Sequence, residues 1–127
     1  MNEFKNKNFF QSLNCAIKGL IEILKEEKNF KIYLFIFLIF LSINIVFKIP
    51  IYEMYVFLIS TLIVLTLEVI NTAFERMVDK LMPSKNNNAK IIKDYLAGSV
   101  LISGIFFFVI EFIILISNKW GVKWRVL

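Results

Sequence analysis

Uncharged apolar residues fill three long stretches of this chain, and a fourth, nearer the N-terminus, spaces them at intervals of three and four. In that segment Phe10, Leu13, Ile17, Leu20, Ile21 and Leu24 share one helical face, while Gln11, Ser12, Lys18, Glu22 and Lys25 fall elsewhere on the wheel. The spacing predicts an amphipathic surface helix over about 9–28, lying on a membrane. The first uncharged run, about 32–47, is bounded by Lys31 and Lys48. It is short for a span, but snorkelling of the flanking lysines lets it cross.

Pro50 breaks the chain, and a second apolar run goes from Met54 to Leu67. At 1.5 Å per residue it supplies only about 21 Å of helix, less than the roughly 30 Å of a hydrocarbon core. The helix therefore has to continue to Phe74, which gives a span of about 54–74 with Glu68 and Asn71 inside it. "KLMPSKNNNAK" reads as a polar loop, and a third span covers about 95–117, on a helix that starts near Ala89.

Composition narrows the class. Of 127 residues 58% are hydrophobic and 14 are Phe, well above soluble usage, so the chain is an integral membrane protein with no room for a separate soluble domain. The net charge of +5 does not form a soluble basic face, which argues against nucleic acid as a partner. Lysines and arginines instead cluster in the N-terminal segment and in the second connection (Arg76, Lys80, Lys85, Lys90, Lys93), against Lys48 alone in the first. That bias predicts a cytoplasmic N-terminus and an outer C-terminus; Lys119, Lys123 and Arg125 in the tail pull mildly the other way. Cys15 is the only cysteine and there is no His, so an intramolecular disulfide is impossible and any metal would need oxygen ligands. The N-terminal segment, with four Glu and no small-residue cleavage site, is expected to belong to the mature protein.

The chemistry sits in "EVINTAFERMVD". Asn71, Glu75 and Asp79 follow Glu68 by three, seven and eleven residues, which puts all four within about 60° of one helix face. Glu75 and Asp79 alone could be a polar helix end reaching the interface. Glu68 is harder to explain that way, because a carboxylate inside a span costs about 2.5–3.5 kcal/mol and usually lines an interior. The four side chains run over about 16 Å of helix, from lipid headgroup depth to the cytoplasmic surface. A deep carboxylate could take a proton from a lipid hydroxyl, while carboxylates further out could hold Mg²⁺, which prefers oxygen and binds phosphates. Glu26 and Glu27 in "EEKNFK", and Lys93 and Asp94 in "KIIKDYLAGSV", belong to the same side of the membrane. This constellation suits phosphoryl transfer from a nucleotide to a membrane alcohol. No P-loop or kinase glycine-rich loop is present.

The blocks "AIKGL...KEEKNFKI", "EVINTAFERMVD" and "AKIIKDYLAGSVLI" resemble the small prokaryotic membrane lipid kinases, the diacylglycerol kinase and undecaprenol kinase family, over about Phe9 to Ile114. The resemblance implies an all-α membrane protein with a surface helix and three spans, assembled as a homotrimer with active sites shared between subunits. It implies ATP and Mg²⁺ as cofactors and a lipid alcohol as acceptor. Carried over by position, it makes Glu68 the general base, Asn71 a residue that sets the acceptor site, and Glu27 with Glu75 the pair that holds Mg²⁺ on the nucleotide. Lys93 and Asp94 match nucleotide-binding positions, and Asp79 completes the polar face. The motifs look closer to the Gram-positive undecaprenol kinase branch, which favours undecaprenol over diacylglycerol and a bacterial cytoplasmic membrane.

The chain also departs from the family. Asn8 stands where a basic residue is common, with Lys7 as its nearest substitute, and Phe74 and Arg76 are bulkier than usual. Glu111 has no family role, and an outer-interface position near Lys48 or Lys119 is expected for it. Ser99 and Ser103, with Ala97, Gly98 and Gly104, are expected to allow close helix approach. The competing class is a non-enzymatic small membrane subunit whose carboxylate stripe binds a cation or a partner helix.

Overall fold

Four helices in chain order make up the computed structural model, which describes residues 8–82 and 86–119, with only the backbone of Lys119. Lys7, Lys85 and the tail tryptophans lie outside the described residues. Helix α1 (Phe9–Glu26) buries no residue; Phe10, Leu13, Ile17, Leu20, Ile21 and Leu24 all remain open on its apolar face. Such a stripe suits a lipid surface, where no protein neighbour is needed to cover it.

The break between α1 and α2 (Lys28–Val46) is one residue long. Glu27 is extended, with φ −87° and ψ 114°, and serves as C-cap of one helix and N-cap of the next. Its N–H still donates to the Ile23 carbonyl at 2.9 Å, and its carbonyl accepts from Lys31 N–H at 3.4 Å. The Lys31 ammonium reaches back to the Lys25 carbonyl at 2.7 Å, capping the end of α1. The surface helix thus ends at Glu26, slightly short of the boundary expected near 28.

At its other end α2 stops in a Schellman turn. Ile49 N–H bonds the Asn44 carbonyl at 3.2 Å and Lys48 N–H the Ile45 carbonyl at 3.1 Å. Lys48 takes the left-handed conformation this requires, φ 51°, where glycine is the usual occupant. Pro50 then caps α3 (Ile51–Leu81). This helix is about 46 Å long at 1.5 Å per residue, so it crosses a hydrocarbon core and projects well beyond it. Helix α4 (Asn87–Lys119) opens with a side-chain cap, Asn86 Oδ1 accepting from Asn88 N–H at 2.9 Å.

Three helices, Lys28–Val46, Ile51–Leu81 and Asn87–Asn118, are long and apolar enough to span a membrane. The chain is a multi-pass, all-α membrane protein. Helices α3 and α4 pack along each other most extensively, and α2 leans on the pair. Their shared core is Phe37, Ile49, Phe57, Val64, Phe107 and Ile114. Phe107 is its centre, 1% exposed, with the rings of Phe37, Phe40 and Phe57 at 4.8, 5.5 and 5.9 Å. Between lipid-soluble helices, close packing of this kind replaces the hydrophobic drive that water supplies.

One expectation gains a partner here and another is corrected. Glu111 lies towards the Lys48 end of α2 and is 1% exposed, bonded to Asn44, itself 0% exposed, Asn44 Nδ2 donating to Glu111 Oε2 at 3.2 Å. A carboxyl group inside an apolar bundle needs a polar partner, and α2 supplies one. Gly98 and Gly104 do not bring helices of this chain together, since a Cβ at either would meet nothing within 4 Å. The hydroxyls of Ser99 and Ser103 bond their own helix, at Leu96 O and Val100 O.

Candidate active site

The face of α3 that meets the other helices steps through Phe57, Ser60, Val64, Glu68, Asn71, Thr72 and Val78, all buried. Steps of three, four and seven (Phe57–Ser60–Val64–Glu68–Asn71–Val78, with Thr72 four after Glu68) hold these residues on one side of a regular helix, so the apolar half of the face passes directly into the polar half. Exposure then rises with distance along it. Glu68 is 3% and Asn71 6% exposed, Glu75 is half-buried, and the Asp79 side chain is 64% exposed. The order predicted from depth, buried carboxylate to wet carboxylate, is present.

Glu68 stands within electrostatic reach of Glu75 and Glu27, so three negative charges converge from α3 and from the α1–α2 break. Tyr33, one turn into α2, lies close to the same carboxylate. Asn71 Nδ2 donates to Glu75 Oε1 at 3.1 Å, which orients that carboxylate. Asn71 Oδ1 is buried and accepts no hydrogen bond. An orphaned acceptor in a bundle interior is costly, and it marks a place prepared for a donor or a cation.

Glu27 is brought to this cluster by the helix break, with its side chain 31% exposed. It is engaged from the other side by Arg76. The Arg76 guanidinium bonds Glu27 Oε1 at 2.9 Å, Glu26 Oε2 at 2.9 Å and Glu22 Oε1 at 2.8 Å. Asp79 pairs with Lys93 across the α3–α4 junction. Asp94, the next residue, is exposed.

Most of the residues singled out by sequence are therefore neighbours, and two features of the site were not foreseen. One is the threefold engagement of Arg76, read from sequence only as a bulky departure. Its signal was the acidic set Glu22, Glu26 and Glu27 on and just after α1, which Lys18 and Lys25 do not balance. The other is Tyr33, which carries no sequence signal beyond being a polar aromatic near the start of a span.

The donor set fits Mg²⁺ in one specific way. Among the described residues no group of three or more acidic, His or Cys side chains forms a cation cage. Glu27 and Glu75 can offer two carboxylates, and Mg²⁺ is commonly held by one or two carboxylates with phosphates and water completing its shell. A site of this composition holds the ion well only together with a phosphate-bearing substrate.

Neither a curated protein nor a solved structure matches the chain. The family model described as prokaryotic diacylglycerol kinase matches residues 14–115, most of the chain and all four helices in part. The match spans the helix break at Glu27, the polar face of α3 and the start of α4, so the chain belongs to the prokaryotic diacylglycerol kinase family.

Proposed function

We propose that this small membrane lipid kinase transfers the γ-phosphate of ATP, with Mg²⁺, to the hydroxyl of undecaprenol, giving undecaprenyl phosphate. The observation that carries the reading is Glu68, a carboxylate buried on a helix long and apolar enough to span a membrane, beside buried Asn71 and within electrostatic reach of Glu75 and Glu27. Glu68 takes the hydroxyl proton as the lipid oxygen forms its bond to the γ-phosphorus. The bond from that phosphorus to the bridging oxygen breaks, and ADP leaves with its electron pair. Asn71 helps set the acceptor site and fixes Glu75, while Asp79, Lys93 and Asp94 meet the nucleotide at the wet end. Glu27 and Glu75 would hold Mg²⁺, which would supply neutralisation of the phosphate charge.

Burial of the deep end excludes water, which would otherwise compete with the lipid for the phosphoryl group. The family resemblance supports a homotrimer with shared sites. The many apolar side chains left open on α2, α3 and α4 agree with further chains or lipid around each protomer.

The choice of acceptor rests on the likeness of "INTAFERMVD" and "AKIIKDYLAGSV" to the undecaprenol branch. Diacylglycerol is the second reading, because the matched family is described by it. Purified protein given ATP, Mg²⁺ and either lipid in mixed micelles should phosphorylate undecaprenol faster. Faster phosphatidic acid formation would reverse the assignment, and no product from either lipid would favour the non-enzymatic subunit.

The lysine bias places the site on the cytoplasmic side of a bacterial plasma membrane. A single cysteine at Lys90, in a Cys15→Ser background, should react with an impermeant maleimide only after cells are opened. Reaction in intact cells would invert the topology.

A further inference from the structure

The cation nearest the proposed metal position is not at any position the family resemblance assigns. Among the described residues, every ion pair made by Glu22, Glu26 and Glu27 goes to Arg76. One positive charge against three leaves an excess of two, to which Glu75 and Glu68 add. The cluster is thus only partly neutralised. One of its contacts falls on Glu27, the residue of the three that meets Glu68 electrostatically.

Arg76 has properties that a simple tie between helices does not require. Its side chain is 41% exposed, and ion pairs this open add little to stability. Its bonds use one N–H of Nη1 and both of Nη2, so two of the five guanidinium N–H groups remain to receive an incoming acceptor. It follows Glu75 directly on α3, about 100° round the helix, and so flanks the same site. Glu22 and Glu26 hold the guanidinium from α1 independently of Glu27. The contact to Glu27 can open without releasing the group.

We propose that Arg76 is an exchangeable counter-ion: it neutralises Glu27 before substrate arrives, yields that carboxylate to the divalent cation, and turns its free N–H groups to the nucleotide phosphates. This rests on the kinase reading above and adds a phosphate-binding residue to it. Guanidinium suits the second half of the exchange, since its planar fork matches phosphate oxygens and it keeps its charge throughout. No bond to Arg76 is made or broken other than hydrogen bonds.

The test separates metal from nucleotide, using the full chain in detergent without turnover. Mn²⁺ alone is titrated by electron paramagnetic resonance, and a fluorescent non-hydrolysable ATP analogue is titrated with Mg²⁺ present. In Arg76→Gln, Mn²⁺ should bind about two- to fivefold tighter and the Mg-nucleotide about two- to fivefold weaker, the range of an exposed ion pair. Arg76→Lys, which keeps the charge but loses the fork, should stay near parent for Mn²⁺ and weaken the nucleotide. Opposite shifts are the signature. Both affinities falling together would make Arg76 a helix tie and overturn the proposal, as would no change in either. Glu75→Gln in parallel should lose Mn²⁺; if it does not, the metal assignment fails with the proposal. A parent chain that phosphorylates no lipid sinks the kinase reading itself, whereas an active parent with an indifferent Arg76→Gln sinks this inference alone.

Discussion

Glu68→Gln should lower kcat about 10²–10⁴-fold, the usual worth of a positioned general base, while the KM for Mg-nucleotide stays within about twofold. The reason is depth. Glu68 is 3% exposed on the buried face of α3, two turns from Glu75, and under the proposed reading it is the group that meets the lipid hydroxyl, not the phosphates. Glutamine keeps the shape and a hydrogen bond but accepts no proton. Glu75→Gln should do the reverse, raising the KM for Mg-nucleotide with a smaller loss in kcat, because it removes one of two carboxylates available to the ion. Steady-state kinetics in mixed micelles, varying nucleotide and lipid separately, decide the matter. Equal loss of nucleotide affinity in both variants would contradict the assigned roles.

Removing Asn44 should destabilise the bundle more than most single changes in it. Asn44→Leu leaves the Glu111 carboxyl, 1% exposed, with no partner in an apolar interior, at a cost of about 1–3 kcal/mol. The pair already carries two orphaned oxygens, Asn44 Oδ1 and Glu111 Oε1, so it starts from an incompletely satisfied state. For that reason Asn44→Leu/Glu111→Leu should recover the parent's stability or exceed it, as replacement of buried polar pairs by apolar residues often does. Unfolding in mixed micelles by titrated SDS measures both. A double variant as weak as the single would mean that the pair is worth more than its packing volume.

These two predictions differ in how far sequence alone reached them. The continuation of α3 through Glu68 was legible because an apolar run of fourteen residues is too short to cross a membrane, so the helix has to run on into the polar stripe. The helix break at Glu27 was legible as a change from amphipathic to uniformly apolar composition. Glu111 was not, since α4 is apolar all round and no stripe says which side packs. With the packed face undetermined, the burial of Glu111 against Asn44 on another helix could not be read from the pattern. Arg76 failed for a related reason. Its partners lie about fifty residues away on α1, and a charge whose partners are distant in sequence looks merely out of place.

The single extended residue between α1 and α2 also has a mechanical meaning. The direction of an 18-residue helix, about 27 Å long, is set at that point by two torsions of Glu27. A turn of about 10° there sweeps the far end of α1 through about 5 Å of the headgroup layer. The fulcrum of this lever bears the carboxylate that faces the site, so motion of the surface helix and the position of that side chain are coupled.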